Sequence, residues 1–218
     1  MGTITRSFAN NITTSGVLLP ASLVNNSIAN VTSYNAAVAT GGMVLLSSQT
    51  ASNSASISFT TGIDSTYKEY QFYFIDIHAR TYSSNFSFNL SVDSGSNYNV
   101  TKTSTAFRAI HDEADSTTEL AYETGTDLAQ GTGVQRIDCA NLGSGADESL
   151  SGSLTLFNPS STTYVKHFIT DSNFNSFDDL TIRGLIAGYG NTTSAINAVR
   201  FQMSSGNMDG TILMYGIV

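Results

Sequence analysis

The chain has 218 residues, 40% of them hydrophobic and only 12% charged, with a formal net charge of −8. That length fits one domain, or one domain preceded by an arm. The composition excludes several roles: no polybasic stretch is present to neutralise phosphates, a lone Cys139 allows neither an internal disulfide nor a cysteine-based zinc site, and no run of about eighteen apolar residues is available for membrane insertion.

No secretory signal is expected in the opening residues, because the single Arg6 is not followed by an apolar core of adequate length. Between Arg6 and Asp64 there is no charged residue. This stretch is too apolar for disorder, which needs low hydrophobicity together with high charge. Two readings stay open: a loosely packed arm lying on its own domain, or an assembly arm packed against neighbouring subunits, where buried charge would be costly. The missing charge leans toward the second. Residues 1–42 are therefore expected to form an anchoring arm, with Phe8, Val17, Leu18, Leu19, Leu23 and Val24 as its assembly contacts, and residues 43–218 a folded domain.

From Gly42 onward the pattern is that of β-strands. Stretches at 44–50 and 54–60 come first, followed by Glu69 to Ile77, apolar on both faces as expected of a central strand between two layers. Phe86, Phe88, Leu90 and Val92 alternate with Ser87, Asn89, Ser91 and Asp93, giving one buried face. Strands follow at 100–107, 150–156, 165–171, 180–189, 199–203 and 211–218, separated by Gly-, Asn- and Ser-rich turns. The segment 112–128 is the one place where a short helical turn could sit. About ten short strands at this spacing predict an all-β fold, an antiparallel sandwich of the jelly-roll type.

The chemistry on offer is sparse. His78 lies two residues from Asp76, so on a regular strand the two would share a face with Tyr70, Phe72 and Phe74. His111, Asp112 and Glu113 are adjacent and so point to opposite faces, without the spacing of a zinc motif, and His167 reads as a sheet residue. Acidic residues group at 112–123, 147–148 and 178–179, but a glycosidase needs two carboxylates facing each other, one of them with a raised pKa. No nucleophile elbow of the Gly-x-Ser-x-Gly type occurs. Ser91-Val-Asp-Ser-Gly-Ser-Asn-Tyr98 follows the layout of an Asp-box hairpin, a folding device in which the Asp accepts turn N–H groups, Gly takes the positive-φ position and the aromatic tucks beneath. A calcium ion at Asp93 would need more oxygen ligands than this turn offers. Neither catalysis nor a cofactor or metal site is expected. Exposed tyrosines near turns can stack on sugar rings, and Tyr82, Tyr122 and Tyr189 are the candidate glycan contacts.

Several segments carry a resemblance. They are Met1-Gly-Thr-Ile-Thr-Arg-Ser-Phe-Ala-Asn-Asn-Ile-Thr13, Gly62-Ile-Asp-Ser-Thr-Tyr-Lys-Glu-Tyr-Gln-Phe-Tyr-Phe74, the stretch from Leu156 to Phe168, that from Asn191 to Gly206, and Gly210-Thr-Ile-Leu-Met-Tyr-Gly216. They resemble small virion structural proteins of marine tailed bacteriophages, including those of cyanobacterial and SAR11-type hosts. The likeness covers nearly the whole chain and is weakest across 81–145. It implies a non-enzymatic component of the phage particle, in head decoration or in a tail fibre or tip, with other virion proteins as partners and no catalytic residues to carry over. By the same analogy a homo-oligomer is expected, a trimer being favoured. A module recognising a host surface glycan is the alternative.

Overall fold

In the computed structural model of the protein, residues 42–218 are described. The arm expected over 1–42, with Phe8, Val17, Leu18, Leu19, Leu23 and Val24, thus falls outside the described residues except for Gly42. From there the chain runs through β1 (Met43–Ser54), β2 (Ser56–Phe59), β3 (Glu69–Ala79), β4 (Phe86–Ser91), β5 (Lys102–Asp112), β6 (Thr118–Tyr122), β7 (Gln135–Arg136), β8 (Ser149–Phe157), β9 (Lys166–Asn175), β10 (Leu180–Gly190), β11 (Ala198–Met203) and β12 (Met208–Ile217). The all-β reading holds: the described residues contain no helix, and 112–128 holds the end of one strand, a turn and β6 instead of a helical turn.

All strand pairings are antiparallel. An eight-stranded sheet has the order β1-β12-β3-β8-β9-β10-β5-β6, and a four-stranded sheet has the order β2-β11-β4-β7. Setting aside two hairpins, β5-β6 and β9-β10, leaves β1-β12-β3-β8 against β2-β11-β4-β7. The chain then changes sheets at every step except β4 to β7, which is the two-Greek-key order of a jelly roll. Both hairpins are insertions that add to the β8 side of one sheet and double its width.

The alternation read from the sequence explains the core. Tyr70, Phe72 and Phe74 of β3 and Phe86, Phe88 and Leu90 of β4 are all buried, on sheets that face each other. Phe201 of β11 stands at the centre, its ring 5.3–6.4 Å from those of Phe72, Phe74, Phe86 and Phe88 and 6.1 Å from Phe59. The pairs with Phe59 and Phe74 are edge-to-face and that with Phe86 is stacked; aromatic pairs in such geometries add roughly 0.5–1.5 kcal/mol each beyond burial.

Two expectations need correction. Asp76 takes φ +50° and breaks the pairing of β3 with β8 between Phe74 and Ile77. This bulge shifts the strand by one residue, so Ile77 and Ala79 point inward and His78 outward; His78 does not continue the face of Tyr70, Phe72 and Phe74. The second concerns cover. β3 is central in its sheet, but its outer side is not sandwiched among the described residues: Tyr73 is half-buried and Ile75 is 43% exposed.

The strand connections gather at two ends. At one, the chain enters at Gly42, whose carbonyl accepts the Val218 N–H, and the β2–β3, β4–β5, β8–β9 and β10–β11 connections meet, as Asn158 N–H to Lys68 O and Ile196 N–H to Pro159 O record. At the other, the β3–β4, β7–β8, β9–β10 and β11–β12 connections meet through bridges of Ser84 to Leu142 and Leu142 to Ser176, and through Ser84 Oγ donating to Ser205 O.

Candidate functional site

The three histidines do not converge. The His78 ring nitrogen Nε2 is 2.9 Å from Gly145 O, tying β3 to the β7–β8 connection. His111 Nε2 lies 3.1 Å from Asp115 Oδ1 on an exposed turn. His167 stands on the outer face of β9 beside Tyr189 of β10, ring centroids 6.1 Å apart, as a sheet residue should. Among the described residues, no three His, Cys, Asp or Glu side chains are arranged to hold a metal ion.

Two turn carboxylates, Asp112 and Asp93, are held by their own turns. Asp112 accepts from Ser116 N and Thr117 N, both at 2.8 Å, and from the Ser116 hydroxyl, and these bonds hold its carboxyl down at about 2. The turn after β4 behaves as its sequence indicates. Asp93 Oδ1 accepts from Ser91 Oγ at 2.7 Å and Asn97 N at 2.8 Å, and Oδ2 accepts from Asn97 Nδ2 at 2.7 Å. The Asn97 and Ser91 bonds hold Asp93 at about 2. Gly95 takes φ +87°, and the Tyr98 ring lies 4.3 Å beneath the Arg200 guanidinium. Both oxygens of Asp93 are spent on the hairpin itself.

One carboxylate moves the other way. Asp138, fully buried in the covering segment after β7, is pushed up to about 7 by burial, against the pull of Arg136, whose Nε is 2.9 Å away. Its Oδ2 accepts the Phe86 N–H at 2.6 Å. Without access to solvent this group ties β4 to the β7 segment and offers nothing to a substrate. Cys139 beside it is 1% exposed, and burial pushes its thiol up to about 12, so it is no nucleophile.

The sequence reading passed over two enclosed lysines. Lys102 and Lys166 flank Gly190, its register partners on β5 and β9 respectively, and both are fully buried. Lys102 Nζ donates to Asn89 Oδ1 at 2.6 Å and Val100 O at 2.8 Å; burial lowers its pKa to about 8. Lys166 Nζ donates to Tyr164 O at 2.9 Å and Thr192 O at 3.1 Å, and burial lowers it too. Their acceptors are loop carbonyls and one amide, which makes them pins for the connections at the Gly42 end. The available signal was their inward phase, Lys102 in step with Ser104 and Ala106, and Lys166 with Phe168 and Thr170.

The three tyrosines singled out for glycan contact sit apart. Tyr82 lies in the β3–β4 connection, 60% exposed, with its ring 5.1 Å from that of Phe177 in the β9–β10 turn. Around it, Asn85 Nδ2 donates to Asn141 Oδ1 and Asn141 Nδ2 to Ser83 Oγ. Tyr122 ends β6 on the outer sheet face, and its hydroxyl donates to Asp127 Oδ2 at 2.7 Å. Tyr189 is near the end of β10, opposite Thr103, so Tyr82 and Tyr189 lie at opposite ends of the sandwich.

The outer face of the eight-stranded sheet carries apolar residues that the sequence reading left unassigned. Tyr73, Ile75, Leu213 and Tyr215 wall a hollow of about 510 Å³ over Gly152, with Ser151, Ser153, Asp171 and Asn173 on its other side. Farther along, Phe107, Ile169, Leu185 and Ala187 line a second hollow of about 160 Å³. Between them Arg183 grips Asp171 through Nε–Oδ1 at 3.0 Å and Nη2–Oδ2 at 2.7 Å. Such a face can take up protein or ring-shaped ligands by contact; it presents no reacting group.

No protein family, curated protein or solved structure matches the chain.

Proposed function

We propose that the protein is a non-enzymatic structural component of a bacteriophage virion, held to the particle by its residues 1–42 and projecting the jelly roll as a head decoration or a tail-fibre or tip element, in association with other virion proteins and with further copies of itself. One arrangement carries the reading. The charge-free leading segment joins the sandwich at Gly42, at one end, whereas the exposed Tyr82–Phe177 pair lies at the opposite end, about 30 Å away at ~3.4 Å per strand residue. A body anchored at one end and presenting loops at the other suits a projecting particle protein. The acidic, otherwise sparsely charged chain suits high copy number without uncontrolled association. The resemblance of its segments to marine phage virion proteins supports the same reading, as does the use of Asp93 and Asp138 in bonds that hold a turn and a strand together. Mass spectrometry of purified particles tests it: the chain is expected among the virion proteins, and its absence refutes the proposal.

A second reading, recognition of a host surface glycan, is favoured by the Tyr82–Phe177 pair. An exposed ring backed by a second aromatic and bordered by Asn85, Asn141 and Ser83 has the stacking surface and amide groups that sugars require. Tyr82→Ala should weaken adsorption of particles to host cells several-fold, and unchanged adsorption discards this reading while leaving the first intact.

A further inference from the structure

We infer that the outer face of β9-β10-β5-β6 is a self-complementary contact at which a second copy of this chain binds, each copy seating its Leu120 in the hollow of the other. The inference concerns the copies alone and stands apart from any role in a virion.

The face holds both halves of the contact. Leu120 on the edge strand β6 is 78% exposed, a large apolar knob with Tyr122, 52% exposed, beside it. The hollow lined by Phe107, Ile169, Leu185 and Ala187 is open to the same side, about 160 Å³ in volume and walled almost wholly by carbon. That is room for one leucine-sized side chain. Within a copy the knob cannot fill it. Leu120 stands opposite Ala109 and Arg183, whereas the hollow centres on Leu185 and Ala187, two strands over and farther along; at ~4.8 Å per strand and ~3.4 Å per residue the separation is about 14 Å.

Halfway between knob and hollow lies Phe107, paired with Tyr122 on one side and Leu185 on the other, and 44% exposed. A two-fold axis in the plane of the contact, passing through Phe107, carries Leu120 of each copy onto the hollow of its mate and brings the two Phe107 rings together. The offset between knob and hollow is nearly equal along and across the strands, so this axis crosses the strands diagonally and the two sheets meet near a right angle, one of the two usual ways in which sheets stack. Because knob and hollow share one face, the contact is isologous and closes as a pair; the trimer suggested by resemblance would need them on different faces.

Charge allows this meeting. Each chain carries −8, which opposes self-association over most surfaces. Little charge stands on the patch: Asp171 and Arg183 at its border neutralise each other, Glu119 and Glu123 sit with Arg108 on the other side of the sheet, and Asp127, beside Tyr122, accepts its hydroxyl. On an acidic chain, an apolar patch around Phe107, Leu120, Ile169 and Leu185, none of them charged, is the surface on which two identical copies can meet with the least juxtaposition of like charges.

The test is a cysteine pair in the full chain, Leu120→Cys with Ala187→Cys. Within one copy these positions are about 17 Å apart by strand geometry, far beyond the ~7 Å between Cα atoms that a disulfide spans, and the native Cys139 is buried. Mild oxidation should convert the double variant to a covalent dimer, neither single variant should do so, and Leu120→Asp in the unmodified background should halve the mass measured by light scattering. A wild-type chain that is monomeric, a double variant that does not cross-link, cross-linked ladders longer than two, or an assembly whose mass Leu120→Asp leaves unchanged would each overturn the inference.

Discussion

The eight-stranded sheet has two halves that solve the same problem in different ways. In the jelly-roll half, β1-β12-β3-β8 lies against a true second sheet, and the space between is filled by phenylalanines centred on Phe201. In the inserted half, β9-β10-β5-β6 has no full sheet opposite; β7 is only two residues long, and the irregular chain around it does the covering. Beside Phe168, Phe174, Ile182 and Ile186, the inward residues there include polar ones that bond the covering chain. Ser172 Oγ donates to Ile137 O at 3.0 Å, Ser104 Oγ to Gln135 Oε1 at 2.7 Å, and Arg108 Nη1 to Cys139 O at 3.1 Å. Gly184 leaves so little room that a Cβ would come within 3.0 Å of Cys139 Sγ. A sheet covers another with side chains because its own backbone is satisfied; a loop brings unpaired carbonyls, and the face it covers must supply donors for them.

The difference is sharpest at Phe201. Phe201→Ala removes the ring that touches five others and should cost about 3–5 kcal/mol in denaturant unfolding, the range for a large buried aromatic. A loss below ~1 kcal/mol would mean that the aromatic cluster is not the main apolar core.

The inserted half should betray itself through pH, because its cover contains a buried ionisable group. Asp138 ionises near 3.8 when unfolded and near 7 when folded. Between those values the folded chain holds a proton that the unfolded chain has released, so the stability carried by the protonated form is complete below pH 3.8 and is lost as pH rises toward 7. At about 1.4 kcal/mol per pH unit the loss amounts to at most about 4 kcal/mol. Asp138→Asn, which keeps an acceptor for the Phe86 N–H, should flatten this slope in unfolding measured at pH 4, 5.5 and 7. The carboxyls held low, Asp93 and Asp112 at about 2, lose their contribution only below pH 3.8 and do not overlap this window. A slope unchanged in the variant would place its origin elsewhere.

The same division explains what could be read from the sequence. The jelly-roll strands announce themselves by alternation, as in Phe86-Ser-Phe-Asn-Leu-Ser91, because a face packed on a sheet must be apolar at every second position. β6 and β7 were missed for the opposite reason: Thr118–Tyr122 is an almost wholly exposed edge, and Gln135–Arg136 is held by side-chain bonds rather than by an apolar face. The phase of His78 was misjudged because one left-handed residue, Asp76, undoes a period-two count. Of the candidate contacts, Tyr82 was recognisable as a turn residue. Its neighbour Phe177 was not, since the two are joined only by the meeting of distant connections. The smaller hollow on the outer face joins the β9-β10 hairpin to Phe107 of the distant β5, a juxtaposition no local pattern encodes.

The smallest effect bears on the outer face. Asp171 and Arg183 form a two-point pair, yet their side chains are 45% and 59% exposed, so water competes for both. Exposed pairs contribute between nothing and about 1 kcal/mol, and added salt weakens them further. Arg183→Gln in the Leu120→Asp background, where the face is free, should therefore change unfolding stability by less than ~1 kcal/mol, and the remaining difference should fade as sodium chloride is raised toward about 1 M, where screening reaches only ~3 Å. If the same substitution costs more in the Leu120-containing chain, the pair is drier there than the isolated sheet allows, which is what a second copy covering its border would do. Equal costs in both backgrounds would leave Asp171 and Arg183 at the water-facing rim, and confine the contact to the carbon surface of Phe107, Leu120, Ile169 and Leu185.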